Sequence, residues 1–112
     1  MISSLRGTVV DKSPDSVVIE CAGVGYLVYC TPQTVASLVR DEETKLITHL
    51  VVREDAMVLY GFTDAGQRDL FLLLQTVSKV GPKAALSFLG AMPLAELVHA
   101  ISSGDSKRLT TV

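Results

Sequence analysis

Two lysines, a glycine and a proline meet in the decapeptide Val77-Ser78-Lys79-Val80-Gly81-Pro82-Lys83-Ala84-Ala85-Leu86, where one apolar segment stops and another starts. Gly81 suits the positive φ that a tight reversal needs. Pro82 suits the first position of a helix, where its missing N–H would be unpaired in any case. The turn then ends in an outward-facing helix N-terminus, whose free N–H groups and positive dipole end form an anion site, with Lys83 adding a formal charge beside it. A phosphate fits such a site without any base being read, which is the chemistry of a backbone-directed DNA clamp. The same residues also describe a glycine-stopped, proline-started joint between two packed helices, and the local sequence leaves both readings open.

No other set of residues has the spacing of a reaction centre. Cys21 and Cys30 lie on neighbouring strand segments without zinc spacing and read as small buried apolar residues of a reducing compartment. His49 and His99 stand alone, with no cysteine or carboxylate pattern beside them that would make a ligand set or a catalytic base. The pair Ser102-Ser103 lacks a G-x-S-x-G context, and no G-x-x-x-x-G-K-[ST] loop is present. The expectation is a protein without catalytic residues, metal or cofactor, in which any ATP hydrolysis belongs to a partner.

The elements that must position the decapeptide change character once along the chain. Residues 1–62 alternate apolar and polar positions with the period of half-buried strands. Strands are predicted over 2–12, ended by Ser13-Pro14-Asp15; over 17–21, ended by Ala22-Gly23-Val24-Gly25; and over 26–30, 45–53 and 56–62. A short helix from Thr31-Pro32 through Leu38 falls between the third and fourth. Five short antiparallel strands with that helix match the plan of an OB-fold barrel. From Thr63-Asp64 the period becomes helical. Asp64 and Gln67 resemble a capping box, and Leu70, Phe71, Leu73, Leu74 and Val77 line one face, which packs onto the barrel or the hairpin or else meets a partner helix. Beyond the decapeptide a helix over 84–89 is expected to stop at Gly90, a third to start at Pro93, and another to begin over 106–111 after Ser102-Ser103-Gly104-Asp105. The fold class is therefore α+β, with a five-stranded OB-type barrel over 1–62 and a helix-hairpin-helix region over 63–112.

Composition agrees with an ordered chain: 48% apolar and 20% charged residues among 112, enough for one domain or a small barrel carrying a few helices. No apolar run reaches the length of a membrane span, and the start Met1-Ile2-Ser3-Ser4-Leu5-Arg6-Gly7 lacks the form of a signal peptide, so the expected location is the cytoplasm. A net charge of −2 argues against indiscriminate coating of nucleic acid. Residues 1–62 carry five basic against eight acidic groups, net −3, whereas 63–112 carry five against four, net +1. An anion is better tolerated in the second part, although charged faces are commonly just solvated surface.

A barrel of this plan followed by helix-hairpin-helix turns, joined through Thr48-His49-Leu50-Val51-Val52-Arg53-Glu54-Asp55-Ala56-Met57-Val58-Leu59-Tyr60-Gly61-Phe62, resembles the RuvA family of bacterial Holliday-junction-binding proteins. Leu5-Arg6-Gly7, Gly23-Val24-Gly25-Tyr26 and Val80-Gly81-Pro82-Lys83 extend the resemblance over almost the whole chain. It implies a homotetramer that holds a four-way DNA junction open, in a roughly square form, while a RuvB-type hexameric ATPase pumps the arms through. It also implies a RuvC-type junction endonuclease as a further partner, and a role in recombination, repair and the SOS response. Phosphate contacts would come from the hairpin, here Lys79, Val80, Gly81, Pro82 and Lys83. An acidic pin would stand at the junction centre on the turn between the last two strands, here Glu54-Asp55. Carboxylates placed where strands exchange would repel phosphates from the centre and help the duplexes separate. Taken without the resemblance, Glu54-Asp55 is an ordinary polar hairpin turn.

Two departures from the family pattern bear on this reading. Family members usually carry glycine where this chain has Lys79; if the position requires positive φ, lysine costs about 1 kcal/mol there, and its side chain either crowds or supplements the phosphate site. The segment Leu109-Thr110-Thr111-Val112 has neither a glycine cap nor a polar tail, as though cut inside a structural unit. The resemblance implies a second Pro-Gly-Ile-Gly hairpin just beyond it, followed by a linker and a small domain that docks the ATPase. These 112 residues are then expected to bind junctions more weakly than a complete family member. The opposing expectation is a truncated OB-type oligomerisation module with little or no DNA binding.

Overall fold

A computed structural model describes residues 1–77 and 79–91. The elements expected from Pro93 onward lie outside the described residues. In chain order the structure has β1 (Ser4–Ser13), β2 (Ser16–Cys21), β3 (Val24–Tyr29), α1 (Pro32–Ser37), β4 (Glu43–Val52), β5 (Met57–Phe62), α2 (Ala65–Leu74) and α3 (Pro82–Ala91). The boundary between the two compact units of the chain falls between Arg68 and Asp69, inside α2.

The five strands close into a barrel in the order β1-β2-β3-β5-β4. Pairing is antiparallel except at the closure, where β3 and β5 run parallel through Val28↔Leu59 and Tyr29↔Tyr60. That parallel seam corrects the expectation of a wholly antiparallel sheet. The physical reason is the α1 crossover, which separates β3 from the β4–β5 hairpin in sequence and so frees their relative direction. Alternation sends Leu5, Val9, Val17, Ile19, Val28, Cys30, Leu46 and Leu59 inward as one core, and α1 adds Val35 with Leu38 at its C-cap. Gly61 faces this core at the seam, where a Cβ would run into the Val28 side chain.

Local chemistry places each turn. β2 and β3 are joined by Ala22 and Gly23 alone, at φ 50° and 83°, the double positive φ of a type I′ hairpin whose twist matches the strands. The four-residue turn expected over 22–25 is thus shorter, and Val24 and Gly25 belong to β3. A bulge between Val9 and Asp11 shifts the β1–β2 register and turns Val10 outward. The hydroxyl of Thr31 caps α1 by accepting from the Thr34 N–H at 3.2 Å, and the Lys12 ammonium donates to the Leu38 carbonyl at 2.7 Å at the other end.

Asp64 begins α2 as expected, its carboxylate accepting from the Gln67 N–H at 2.8 Å. Leu70, Phe71 and Leu74 are buried, whereas Leu73 is exposed, so the apolar stripe is narrower than the expected face. Leu73 lies about 100° away from the line between the three buried positions. Past Leu74 the chain tightens, with the Thr76 N–H donating to the Leu73 carbonyl at 3.0 Å and the Val77 N–H to the Leu74 carbonyl at 3.1 Å. The next helix departs from expectation at both ends: α3 starts at Pro82 rather than at 84 and runs through Gly90 to Ala91. Proline is preorganised for the first helical position. A glycine inside a helix costs about 1 kcal/mol relative to alanine, but it stops the helix only when it takes positive φ, which Gly90 does not.

Candidate nucleic-acid interface

The joint between α2 and α3 is built on a single hydrogen-bonded turn. The Val80 N–H donates to the Val77 carbonyl at 3.1 Å, and the third residue of that turn, Lys79, has φ 69°. Here the structure corrects the sequence reading: the left-handed position is Lys79, and Gly81 has no positive φ. Gly81 instead serves as the N-cap of α3, its carbonyl accepting from the Ala85 N–H at 2.9 Å. A Cβ placed on Gly81 would meet nothing within 4 Å among the described residues, so neither backbone conformation nor packing among those residues demands a glycine.

What Gly81 leaves is an open helix start. Among the described residues, the N–H groups of Gly81, Lys83 and Ala84 have no hydrogen-bond partner, and the N-cap has no side chain to supply one. Lys79 and Lys83 are both exposed, and neither ammonium has a hydrogen-bond or ion-pair partner among the described residues. The sequence holds no carboxylate between Asp69 and Glu96. Val80 is buried and anchors the turn from below, while Ala85 and Phe88 bury one face of α3. The arrangement combines free amide donors, the positive end of a ten-residue helix and two cations, and it can hold an oxyanion.

The second candidate lies in the other compact unit. At the end of the β4–β5 hairpin the Arg53 N–H donates to the Ala56 carbonyl at 2.7 Å, which brings Glu54 and Asp55 out as the two tip residues, both exposed. Below them Val52 and Met57 face each other across the strands at 64% and 68% exposure. Sequence reasoning did not single out this apolar pair; the signal was two large apolar residues symmetrically placed about a two-residue acidic tip. Two carboxylates at the tip beside one exposed cation, Arg53, leave a net charge of −1 there, and the apolar pair adds no further counter-charge.

Other titratable groups have structural surroundings. Burial pushes the Cys30 thiol up to about 12, partly offset by a backbone hydrogen bond at Gly61, so it stays protonated and inert in the barrel core. Cys21 is a half-buried free thiol. His49 is held below its ordinary value by burial, then by the N-terminal ammonium and Arg68. Tyr60 is raised by burial and stacks at a tilt on Tyr29, with ring centres 6.2 Å apart. His99 and the Ser102-Ser103 pair lie outside the described residues. Among the described residues no three His, Cys, Asp or Glu side chains converge as a metal site, and no helix is long and apolar enough to cross a membrane.

Comparison with known proteins bears on both candidates. Residues 1–61 match the family described as the RuvA N terminal domain. Over all 112 residues the chain is 51% identical to the Holliday junction branch migration complex subunit RuvA of Corynebacterium aurimucosum, 51% to that of Corynebacterium glutamicum and 53% to that of Mycolicibacterium smegmatis. The match takes in 100% of this chain and 55%, 54% and 57% of those proteins, so the chain spans about half the length of the curated relatives it matches.

Proposed function

The chain belongs to the RuvA family, and from that membership we propose that it is a non-catalytic DNA-binding subunit that recognises four-way junctions and holds them open for branch migration by a partner ATPase. The observation that carries the proposal is the open start of α3: amide donors and two lysines without partners among the described residues, with a glycine that packing among those residues does not require. A glycine in open space is explained by an external backbone that must come close. In this reading α2, the turn and α3 form a helix-hairpin-helix within residues 63–112, where Lys79, Val80, Gly81, Pro82 and Lys83 grip phosphates. Residues 1–62 supply the OB-type barrel for tetramer assembly and carry Glu54 and Asp55 as the pin at the junction centre. A RuvB-type hexameric ATPase supplies the work, a RuvC-type endonuclease resolves the product, and the complex acts in the cytoplasm.

Gel-shift titration against a synthetic four-way junction tests this. Lys83→Ala removes a phosphate contact, so binding is expected to weaken several-fold at low salt and the slope of log K against log salt to fall by about one. Gly81→Asp places a carboxylate in the anion site and is expected to weaken binding about tenfold or more. Aspartate is also a better N-cap than glycine by a few tenths of a kcal/mol, so the variant is expected to remain as stable as the parent. Tetramers in light scattering with no junction shift at low salt would replace this reading with that of an oligomerisation module.

A further inference from the structure

We infer that Val52 and Met57 form an apolar cap for the faces of unstacked base pairs; this rests on the reading of Glu54 and Asp55 as the tip that enters the centre of a four-way junction. Among the described residues these two are the most exposed large apolar side chains after Met1, at 64% and 68%. They are paired across the β4–β5 ribbon, directly below its tip.

Their place in the ribbon explains the apolar type and the exposure together. Alternation puts them on the same side as Leu46 and the pair Leu50↔Leu59, which meet the barrel core. The ribbon outruns the barrel. β1 pairs with β4 only over 43–47, and β3 with β5 only at Leu59 and Tyr60, so Val51, Val52, Met57 and Val58 pair with one another alone. The core-facing stripe therefore continues past the barrel rim, where its side chains stand in water. Apolar side chains left there add no burial energy to a two-stranded ribbon, and polar ones would carry the tip equally well.

Charge decides what can cover the pair. Each member is two residues, about 7 Å of chain at most, from a tip carboxylate. Arg53, Glu54 and Asp55 together carry −1, so a second copy laid pair to pair brings like charges together, and a phosphate backbone meets the same repulsion. An uncharged apolar surface meets neither penalty. At the crossing point of an open junction each arm ends in a base pair that has lost its stacking neighbour, and the face it exposes is such a surface. Methionine and aliphatic wedges cover base faces in proteins that kink DNA, and the soft thioether favours contact with an aromatic ring. The tip then keeps phosphates off the centre while Val52 and Met57 replace stacking that opening removes.

Two double variants of the 112-residue chain test the cap: Val52→Thr with Met57→Gln makes the pair polar at unchanged charge, and Val52→Ile with Met57→Leu keeps it apolar. Gel shifts use a synthetic four-way junction, the same junction with abasic sites at the positions flanking the branch point, and a linear duplex. The polar variant is expected to bind the intact junction about tenfold more weakly than the parent, with its salt slope and duplex affinity unchanged, and the apolar variant to bind like the parent. On the abasic junction parent and polar variant are expected to bind alike. Equal affinity of parent and polar variant for the intact junction overturns the cap and leaves the junction-binding reading standing. A loss that persists on the abasic junction also overturns it, whether through a contact between copies, seen as a lower mass in light scattering, or through the ribbon's own stability, seen as a lower Tm. A parent that shifts no junction at any salt concentration overturns the junction-binding reading itself, and this inference with it.

Discussion

Lys79 and Gly81 occupy the positions that conformational preference alone would give to each other. The residue with positive φ is the lysine, and the glycine sits in a backbone state open to any residue. Nothing among the described residues accounts for either choice; in the proposed role an approaching phosphate backbone does. Cys30 is the opposite case, a residue explained entirely from within. The residue is 1% exposed, its thiol donates weakly to the Val28 carbonyl at 3.8 Å, and burial pushes its pKa up to about 12. Above the ordinary thiol pKa the unfolded chain loses this proton while the folded chain keeps it. The stabilisation is therefore complete below pH 9.0 and is lost as pH rises towards 12, at up to about 1.4 kcal/mol per pH unit. Denaturant titrations across that range are expected to show the decline, with Cys30→Ala flattening it. At pH 8 iodoacetamide should label Cys21 well before Cys30; equal rates would mean that the barrel opens readily.

At the scale of elements, the barrel depends on its one parallel seam. Only Val28↔Leu59 and Tyr29↔Tyr60 pair β3 with β5, and Gly61 leaves room there for Val28, Cys30 and Leu46. Gly61→Ala is expected to destabilise the protein by about 1–3 kcal/mol through overpacking, read as a lower denaturant midpoint at unchanged slope. The α2 start rests on one side chain. Asp64→Ala removes the 2.8 Å bond to the Gln67 N–H and is expected to cost about 1 kcal/mol. The β4–β5 hairpin is held by six cross-strand pairs from Ile47↔Phe62 to Val52↔Met57, a stiff stalk for a short acidic tip. In the proposed role that pairing would hold the two exposed carboxylates at a defined place.

For the whole molecule, a net charge of −2 and a role on DNA are compatible because charge is distributed by site. The cations of the α2–α3 joint have no carboxylate neighbours in sequence from 70 to 95, and the acidic tip belongs to the other compact unit. In the proposed role one attracts duplex arms and the other repels phosphates from the crossing point. Neutralising the tip with Glu54→Gln and Asp55→Asn is accordingly expected to raise affinity for linear duplex several-fold while changing junction affinity less. The junction-to-duplex ratio then narrows in competitive gel shifts. A ratio equal to the parent's would remove the tip from any part in discrimination.

Much of this was legible in the chain itself. The alternation of residues 1–62, the Ser13-Pro14-Asp15 turn, the Thr31-Pro32 helix start and the Asp64 cap determined five strands and two helix origins, because each is a local preference that tertiary contacts only reinforce. Residue type and spacing pointed to the α2–α3 joint as one of two open readings, whereas Glu54 and Asp55 were singled out only through the resemblance to the RuvA family. Tertiary structure alone decided the parallel β3–β5 seam, the continuation of α3 through Gly90 and the exposure of Leu73. It also decided that the strained residue of the hairpin is Lys79 and not Gly81. Direction across a crossover, the fate of a helix past a glycine and the sign of φ in a turn all depend on where the remaining chain pulls the backbone, which no short window of sequence contains.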